Sequence, residues 1–410
     1  MPDDTHDATH DTHDATFPFP PGPYGSPPAA YAARRAAACP LAPVTLPSGD
    51  EALLATAYDD VRQVLTDPRF SRNLRHPGAP RMLADADFSD DPNALVNMDP
   101  PDHTRLRRIV QATFTPRRAE SWRPRIQAVT DELLDDLRGR EGPVDLMTAF
   151  AFPLPIAIIC ALLGVPAQHS PRFRAWSDAF LSTSTSSAPQ RAAAATEFSA
   201  YVDELIAARR EAPGDDLLDA LIDAHDEGDR LSEVELARMV RGLIIAGHET
   251  TGNVIGRAVV TLLRHPDQLA ALRADPESLL PAAVEEILRT EVPGHGGLLR
   301  LAREPVSLPS GAVVEPGQAV LAPVVAANYD PGHFPEPERL DFRRPANKHI
   351  AFGHGPHHCL GANLARVELQ VAIGSLVTEF PTLALACADQ DLSWTTGSRV
   401  CGLRSLPVTW

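Results

Sequence analysis

One segment near the end of the chain combines a cysteine with three histidines and three glycines. It reads Ala-Phe-Gly-His-Gly-Pro-His-His-Cys-Leu-Gly over residues 351–361, and a long apolar stretch of helical pattern begins near Ala362. A thiolate of Cys359 would lie beside the N-terminus of that helix, where the helix dipole and free N–H groups favour negative charge. The glycines and the proline would hold the backbone tightly around this sulfur.

The residues of this segment leave two interpretations open besides a reactive or ligating thiolate. The first is a glycine-rich turn around a buried free cysteine. The second is a zinc site, although structural zinc usually joins two separated ligand pairs, so that four ligands here would be crowded. These four are His354, His357, His358 and Cys359. The segment lacks the βαβ context of a dinucleotide loop and the Gly-Lys-Ser/Thr ending of a P-loop.

A second candidate site lies in the middle of the longest helical pattern, residues 232–263. It contains Ala-Gly-His-Glu-Thr-Thr over residues 246–251. A glycine inside a helix costs about 1 kcal/mol relative to alanine, and threonine hydroxyls can bond back to the preceding turn. We therefore expect the helix to be distorted or open at this point.

The elements that position these segments are mainly helical. Two short apolar runs, 42–46 and 52–56, flank Ser-Gly-Asp and predict a β-hairpin. Short apolar runs between residues 298 and 325 predict small strands. The 3.6-residue periodicity predicts helices over 58–65, 103–114, 116–137, 146–163, 175–181, 192–210, 216–224, 232–263, 266–274, 278–289 and 362–380. The fold class is therefore mainly α with a small β portion.

Composition excludes several classes of protein. The 410 residues carry a net charge of −17, so the basic footprint that nucleic acid requires is missing. Five scattered cysteines without a CxxC pair favour a reducing compartment, and the absence of a signal-peptide pattern favours the cytoplasm. The longest apolar stretch, 149–165, is interrupted by two prolines and is too short to span a membrane.

The chain predicts one folded unit with an N-terminal extension. Residues 1–30 are rich in Asp, His and Pro, and they have no periodic apolar face to offset the entropy of ordering. We expect a disordered tail there and a single domain over residues 31–410.

The segment 352–361, Phe-Gly-x-Gly-x-His-x-Cys-x-Gly, resembles the haem-binding signature of the cytochrome P450 superfamily. Other landmarks of the family follow the same order. Glu-Ile-Leu-Arg at 286–289 is similar to its Glu-x-x-Arg helix, and residues 246–251 are similar to its oxygen-activating helix. Asp-Pro-Pro-Asp-His-Thr-Arg-Leu-Arg at 99–107 is similar to the start of its haem-facing helix. The resemblance extends over about residues 30–410 and implies the cytochrome P450 fold with haem b.

The resemblance assigns a role to each matching residue. Cys359 would be the thiolate ligand of the haem iron, and donation from sulfur suits oxygen activation. The glycines at 353 and 355 would let backbone N–H groups approach the sulfur, and Phe352 would pack beside the haem. Charged and donor partners would hold the two propionates. These partners would be His103, Arg107, Arg300 and His357, and Gly353, Gly361 and Ala246 would also line the cofactor.

On the opposite side of the haem, the resemblance makes Glu249 and Thr250 catalytic. A hydroxyl would position a water and an acid would resupply its proton, which prevents release of peroxide. His248 could alter this proton delivery or face away from it. Glu286 and Arg289 would form a buried ion pair with a residue near Arg339, a structural role.

The family places the substrate pocket between several loops and the oxygen-activating helix. Candidate lining residues in this sequence are Ile245, Gly294, His295, Gly296, Gly297 and Thr396. The small side chains at 294–297 suggest lateral room for a bulky multi-ring or macrocyclic substrate, with His295 as a polar anchor. The alternative is a flexible turn.

The sequence thus predicts a haem-thiolate monooxygenase that hydroxylates or epoxidises a hydrophobic small molecule of bacterial secondary metabolism. Oxidative coupling, ring closure and desaturation are alternatives, as are a peroxide-using enzyme and a noncatalytic haem-binding protein. Because the chain has no flavin or iron–sulfur motif, electrons would come from a ferredoxin and its reductase. A docking surface for the ferredoxin would contain Arg105, Arg108, Arg117, Arg118 and Arg366. We expect a monomer.

Overall fold

The computed structural model describes residues 16–37, 41–85, 87–166, 169–226, 231–294, 297 and 299–410. Helices dominate this part of the chain, as the sequence predicts. The helices are α1 (Ala29–Ala36), α2 (Tyr58–Thr66), α3 (Asp102–Val110), α4 (Pro116–Ser121), α5 (Arg123–Arg138), α6 (Pro153–Leu163), α7 (Ser170–Leu181), α8 (Ala188–Glu211), α9 (Leu217–Asp226), α10 (Glu233–Arg264), α11 (Pro266–Ala274), α12 (Pro276–Thr290), α13 (Val324–Asn328) and α14 (Ala362–Glu379).

The strands form one larger sheet and two small ones. They are β1 (Leu41–Thr45), β2 (Glu51–Ala55), β3 (Phe70–Ser71), β4 (Val144–Asp145), β5 (Leu299–Ala302), β6 (Val306–Ser307), β7 (Val313–Val314), β8 (Ala319–Leu321), β9 (Ala384–Leu385) and β10 (Pro407–Thr409). The five-stranded sheet has the order β1-β2-β8-β5-β3, the second sheet has the order β4-β10-β9, and β6 pairs with β7. The hairpin predicted from residues 42–56 is confirmed, because β1 and β2 are antiparallel with Leu41 opposite Ala55.

Helix α10 runs through the largest apolar core. Its start is fixed by a capping box, in which Ser232 accepts from the N–H of Glu235 and the Glu235 carboxylate accepts from the N–H of Ser232. Apolar residues of α10 from Leu236 to Leu262 are buried against α6, α14 and their neighbours.

The glycine at 247 allows a close approach between α10 and α6. A Cβ on Gly247 would lie 2.8 Å from the side chain of Ile159, and a Cβ on Gly252 would lie 2.7 Å from Phe152. The helix continues unbroken from Glu233 to Arg264, so the predicted distortion at 246–251 is wrong. Tight packing between two helices, and not an opening of the helix, explains the glycine.

Two predicted helices are interrupted. The run 116–137 is divided into α4 and α5 at Trp122, which caps both helices. The run 146–163 begins with a π-helical turn over Met147–Ala151, and the α-helix starts only at Pro153. Proline at the first positions of α4, α5 and α6 explains these starts, because its missing N–H would be unpaired there in any case.

Part of the segment predicted to be a disordered tail is ordered. Residues 1–15 lie outside the described residues, whereas residues 16–30 pack against the body. Phe17 is buried and its N–H donates to the carbonyl of Thr45 at 2.8 Å. Phe19 is also buried and makes an edge-on contact with Tyr31. Two aromatic side chains bury enough apolar surface to order a proline-rich segment that has no helical or strand periodicity.

Among the described helices, none combines the length and the apolar character needed to cross a membrane.

Candidate active site

The loop before α14 turns sharply around Cys359. The N–H of Cys359 donates to the carbonyl of Phe352 at 2.8 Å. Gly353 and Gly355 both have φ of +72°, a conformation that other residues rarely adopt. A Cβ on Gly355 would also lie 2.6 Å from the carbonyl oxygen of Leu65, so this loop packs directly on the end of α2.

These contacts show which backbone N–H group approaches the sulfur. The N–H of Gly353 donates to the carbonyl of Ile350 at 2.8 Å and not to the sulfur. The N–H that stabilises the Cys359 thiolate belongs to Gly361, at the start of α14. Gly353 and Gly355 are required for the turn itself.

Two observations on Cys359 lead us to infer an internal cleft beside its sulfur. Cys359 is exposed by surface area, yet desolvation raises the pKa of its thiol. The two observations agree if water can reach the sulfur through an internal cleft that protein atoms surround. The Gly361 N–H and the charges of Arg107 and Arg366 oppose the rise in pKa and favour the thiolate.

A stripe of small residues on α10 is exposed although most of the helix is buried. Gly242, Ala246 and Thr250 recur every fourth residue and therefore share one face. Nothing lies within 4 Å of a Cβ placed on Gly242. The Thr250 hydroxyl donates to the carbonyl of Ala246 at 3.0 Å, the bond back to the preceding turn that the sequence predicts. This stripe lines an open space beside the middle of α10.

Glu249 does not share the face of Thr250. Its side chain is buried, and Asn253 donates to its Oε1 at 3.0 Å. Burial raises the pKa of Glu249 to about 7, and the charge of Asp178 adds to this rise; the bond from Asn253 and the charge of Arg174 oppose it. The structure thus gives this carboxyl group a pKa near neutrality, which suits a group that exchanges protons.

His248 is fully buried beside Glu249. Its Nδ1 lies 2.7 Å from the carbonyl of Ile244 and donates to it, so Nε2 carries the lone pair. Nε2 lies 3.9 Å from Oε2 of Glu249, and neither atom has a hydrogen-bond partner among the described residues. Burial lowers the pKa of His248 to about 4, so the ring is neutral near pH 7.

The predicted propionate partners converge on one side of the cleft. The rings of His103 and His357 lie 4.3 Å apart, and Arg107 donates to the carbonyl of His358 at 2.7 Å. Arg300, on β5, is buried. Desolvation lowers the pKa of His357 to about 2, and the charges of Arg300, His103, Arg72 and Arg107 lower it further in that order. Arg107 and Arg300 therefore form a cluster of positive charge around two neutral histidine rings.

Arg72 belongs to this cluster, and sequence reasoning missed it. Its side chain is buried, desolvation and the charge of Arg300 lower its pKa, and its own charge contributes to the lowered pKa of His357. No motif marks the residue. The residue could have been identified by its position. It follows directly after a short buried strand, β3, and this strand pairs with β5, which contains Arg300.

The residues predicted to line the substrate pocket differ in their burial and in the space around them. Ile245 is buried on α10, Gly294 has open space around it, and Thr396 is exposed. Gly297 does not provide lateral room, because a Cβ there would lie 2.8 Å from the backbone of Ala322 and its φ is +66°. His295 and Gly296 lie outside the described residues.

The structure contains the predicted ion pair between Glu286 and Arg289. Both side chains are buried, with N–O distances of 2.8 and 2.9 Å. Arg289 also donates to the carbonyls of Asn328, Pro337 and Arg339. Glu286 accepts further bonds from Arg344 and Asn347, so this pair joins α12 to the segment before the Cys359 loop.

Two arginines of the predicted docking surface have partners in the protein. Arg105 pairs with the nearly buried Glu235 at 2.5 Å, and Arg366 pairs with Glu285 at 2.7 Å and lies over the Phe352 ring. Both arginines are therefore ion-paired within the protein and still partly exposed. Arg108, Arg117 and Arg118 are exposed.

Comparisons with known proteins agree with this geometry. The family model for cytochrome P450 matches residues 167–391. The chain is 44% identical to the cytochrome P450 monooxygenase PikC of Streptomyces venezuelae, over 92% of this chain and 90% of the relative. It is 44% identical to the mycinamicin IV hydroxylase/epoxidase of Micromonospora griseorubida, over 90% and 92% of the two chains.

A solved structure extends the comparison to the fold. The LnmA cytochrome P450 hydroxylase of Streptomyces atroolivaceus, from the leinamycin biosynthetic pathway, has a TM-score of 0.87 at 43% identity. The similarity covers 97% of this chain and 100% of LnmA.

The chain belongs to the cytochrome P450 family. It is a monooxygenase of the bacterial type, and its cofactor is haem.

The residues of the cleft fit this cofactor. Haem presents an iron that accepts a thiolate, a flat apolar ring and two carboxylates. For the iron, the cleft provides the Cys359 sulfur, whose thiolate form is favoured by a backbone N–H. For the ring, it provides the stripe of small residues on α10. For the carboxylates, it provides the cationic cluster, which has few acidic partners. Among the described residues, no group of three or more His, Cys, Asp or Glu could hold another metal ion.

Proposed function

We propose that the protein hydroxylates or epoxidises a bulky hydrophobic intermediate of bacterial secondary metabolism, which binds along the exposed stripe of α10. The observation that carries the proposal is this stripe, Gly242, Ala246 and Thr250, because small side chains leave open space beside the residues that activate oxygen. The relatives support the substrate class, since they include a hydroxylase/epoxidase of mycinamicin IV and a hydroxylase of the leinamycin pathway.

In this proposal the residues have three roles: they bind the haem, position water and supply a proton. Cys359 would ligate the iron, and His103, Arg107, Arg300 and His357 would bind the propionates. Haem with a thiolate ligand supplies the activation of dioxygen for insertion of one oxygen atom into the substrate. Thr250 orients water in the cleft through its hydroxyl. Glu249 holds a proton at Oε2 and returns it to this water.

Substrate binding tests the role of the stripe. In Ala246→Leu, the added side chain would fill the space that the substrate needs. We expect loss of the spin-state shift that a macrolide such as mycinamicin IV produces in the wild type. Ala274→Leu, at an exposed position at the end of α11, should retain the shift. An unchanged shift in Ala246→Leu would contradict binding along α10.

The mass of the product separates oxygen insertion from the other oxidations. Hydroxylation or epoxidation adds one oxygen atom, whereas ring closure, coupling or desaturation removes hydrogen without adding oxygen. Turnover under labelled dioxygen should place one labelled atom in the product. A product that lacks the label would favour the second class of reaction.

We further propose that a ferredoxin delivers electrons at the exposed arginines Arg108, Arg117 and Arg118. Arg108 lies in α3, and Arg117 and Arg118 lie in α4, which contacts α14, the helix that follows Cys359. Among the described residues, none forms an ion pair with these arginines. Arg117→Glu with Arg118→Glu should slow reduction by a ferredoxin severalfold at low salt and less at high salt. The same double charge change at Arg75 and Arg343, two exposed residues elsewhere, is the control.

The protein would act as a monomer in the cytoplasm. The four described cysteines, Cys160, Cys359, Cys387 and Cys401, are free thiols, as a reducing compartment requires. Light scattering of the purified holoenzyme tests the monomeric state.

A further inference from the structure

We infer that Arg72 binds a haem propionate, so that Arg72 and Arg300 each hold one of the two carboxylates. The inference rests on haem binding and is independent of the substrate.

The sheet places the two arginines next to each other. Strand β3 pairs with β5 in antiparallel register, with Phe70 opposite Ala302 and Ser71 opposite Leu301. The next position along this register brings Arg72 beside Arg300. The backbone is held there because the N–H of Arg72 donates to Asp99 at 2.8 Å.

Both guanidinium groups are buried without an adequate counter-charge. Arg72 is 2% exposed and Arg300 is 3% exposed. The only hydrogen bond that the structure gives the Arg72 side chain within the described residues is a long one, 3.5 Å, to the carbonyl of Leu299, and its Nε has no partner. Arg300 donates to the same carbonyl at 3.2 Å. A buried cation without a paired anion is strongly unfavourable, so each guanidinium requires an anionic partner.

The nearby carboxylates are already used by other groups. Asp87 accepts from Arg399 and from Ser89. Asp99 accepts from Ser71, from the backbone of Arg72 and from Arg303 at 3.2 Å. Their charges offset the burial of Arg72 only in part, since desolvation and the charges of Arg300 and Arg399 lower its pKa to about 9.

The two guanidinium groups match the two carboxylates of haem in number and in chemistry. Two buried guanidinium groups lack carboxylate partners, and haem carries two carboxylates. A guanidinium binds a carboxylate through two parallel hydrogen bonds, which Nε and one terminal nitrogen of Arg72 could donate.

Stacking on Phe88 could instead explain the burial of Arg72. The guanidinium carbon lies 5.6 Å from the centre of the Phe88 ring, and Arg399 lies 4.5 Å from the same ring. A cation–π contact is made with the face of the guanidinium and leaves the N–H groups of Arg72 without acceptors. This contact accounts for the position of the side chain but not for its charge.

Haem retention in the holoenzyme tests the inference. We would measure the rate of haem transfer to apomyoglobin and the propionate bending vibration in resonance Raman spectra. Arg72→Gln should lose haem about tenfold faster or more, because it removes a charge-assisted hydrogen bond, and its propionate vibration should shift. Arg72→Lys keeps the charge and should lie between the wild type and Arg72→Gln in both readouts.

Two controls separate charge from packing. Arg75→Gln removes an exposed arginine three residues further along the chain, and Phe88→Leu removes the stacked ring but keeps the cation. Both should retain the haem and the propionate vibration of the wild type. If Arg72→Gln fails to fold, a shifted vibration in Arg72→Lys with unchanged Phe88→Leu gives the same answer.

Three results would overturn the inference. These are an unchanged haem-loss rate and vibration in the Arg72 variants, equal haem loss in Phe88→Leu, or weaker binding of a fatty acid probe such as myristate with haem retention unchanged. The last result would assign Arg72 to an acidic substrate. In each case a wild-type carbon monoxide spectrum of the thiolate type would leave the monooxygenase function intact.

Discussion

Glu249 and Thr250 are neighbours in the chain, yet the helix turns them toward different surroundings. The Thr250 hydroxyl lies on the exposed stripe, and the Glu249 carboxyl is buried beside Asn253, within range of the charges of Arg174 and Asp178. To reach the water beside Thr250, a proton from Glu249 must therefore pass to another face of the helix. Either a chain of water molecules or a rotation of the Glu249 side chain would carry it there. The free lone pair of His248 lies on the same side as Oε2.

The pKa of Glu249 sets an expected pH dependence. With a pKa of about 7, the carboxyl group holds its proton below this pH and loses it as the pH rises. The yield of product per NADPH consumed should therefore fall, and peroxide release should increase, as the pH passes from about 6 to about 8. Glu249→Gln should show low coupling that does not vary with pH.

Glu233→Gln, on the exposed first turn of the same helix, provides the matched control and should behave as the wild type. A wild-type coupling ratio that does not change with pH would count against Glu249 as the proton donor.

At the residue scale, the motifs predicted the cation cluster only in part. The resemblance gave His103, Arg107, Arg300 and His357, because each lies in or near a segment with a recognisable pattern. Arg72 could not be predicted in this way, since its proximity to Arg300 depends on the register between two strands that are more than 200 residues apart.

At the scale of elements, two of the glycines of α10, Gly242 and Gly247, have different surroundings. Gly242 faces open space, whereas a Cβ on Gly247 would contact Ile159 at 2.8 Å. Gly242→Ala should stabilise the protein by up to about 1 kcal/mol through helix propensity. Gly247→Ala should destabilise it by about 1–3 kcal/mol, because α6 must move.

Urea unfolding of the two variants under identical conditions provides the comparison. Equal stability of Gly242→Ala and Gly247→Ala would show that Gly247 is not needed for packing.

The ion pair of α12 predicts a large loss of stability on mutation. Glu286→Gln leaves the buried Arg289 and Arg344 without their carboxylate, and we expect a cost of about 3–5 kcal/mol in the free energy of unfolding. Glu336→Gln removes an exposed partner of Arg339 in the adjacent segment and should cost less than about 1 kcal/mol. Similar unfolding midpoints for both variants would contradict a structural role for Glu286.

Most elements could be predicted because apolar residues recur with the period of a helix. The ends of α2, α10, α11 and α14 lie within a residue or two of their predicted positions. The break at Trp122 and the π-helical turn at 147–151 could not be predicted, because they arise from contacts between helices and leave the local periodicity unchanged.

At the scale of the whole molecule, the segment 16–25 joins distant parts of the chain. Phe17 bonds to β1, Arg264 of α10 lies over the ring of Tyr24, and Gly25 accepts from Arg257 and lies against Trp394. The sequence predicted disorder here because the packing partners lie far along the chain. We propose that this segment forms one domain with the body.

Phe17→Ala tests this attachment. Removal of a fully buried ring should lower the free energy of unfolding by about 3 kcal/mol, with a single cooperative transition retained. An unchanged denaturation midpoint would indicate that the segment contributes little to the folded state.

The net charge of the molecule, −17, disfavours binding to nucleic acid. Local charges have the opposite sign around the cleft, where Arg72, Arg107 and Arg300 surround two histidines. We propose that this local concentration of positive charge binds the carboxylates of the cofactor in an otherwise acidic protein.

The central claim is that Cys359 ligates haem iron as a thiolate. The most direct test is the carbon monoxide difference spectrum of the reduced protein, for the wild type and for Cys359→Ala, with Cys387→Ala as a control for a free cysteine outside the cleft. We predict a thiolate-type Soret band in the wild type and in Cys387→Ala, and its loss in Cys359→Ala. A wild-type spectrum without this band, or a band that persists in Cys359→Ala, would contradict the assignment.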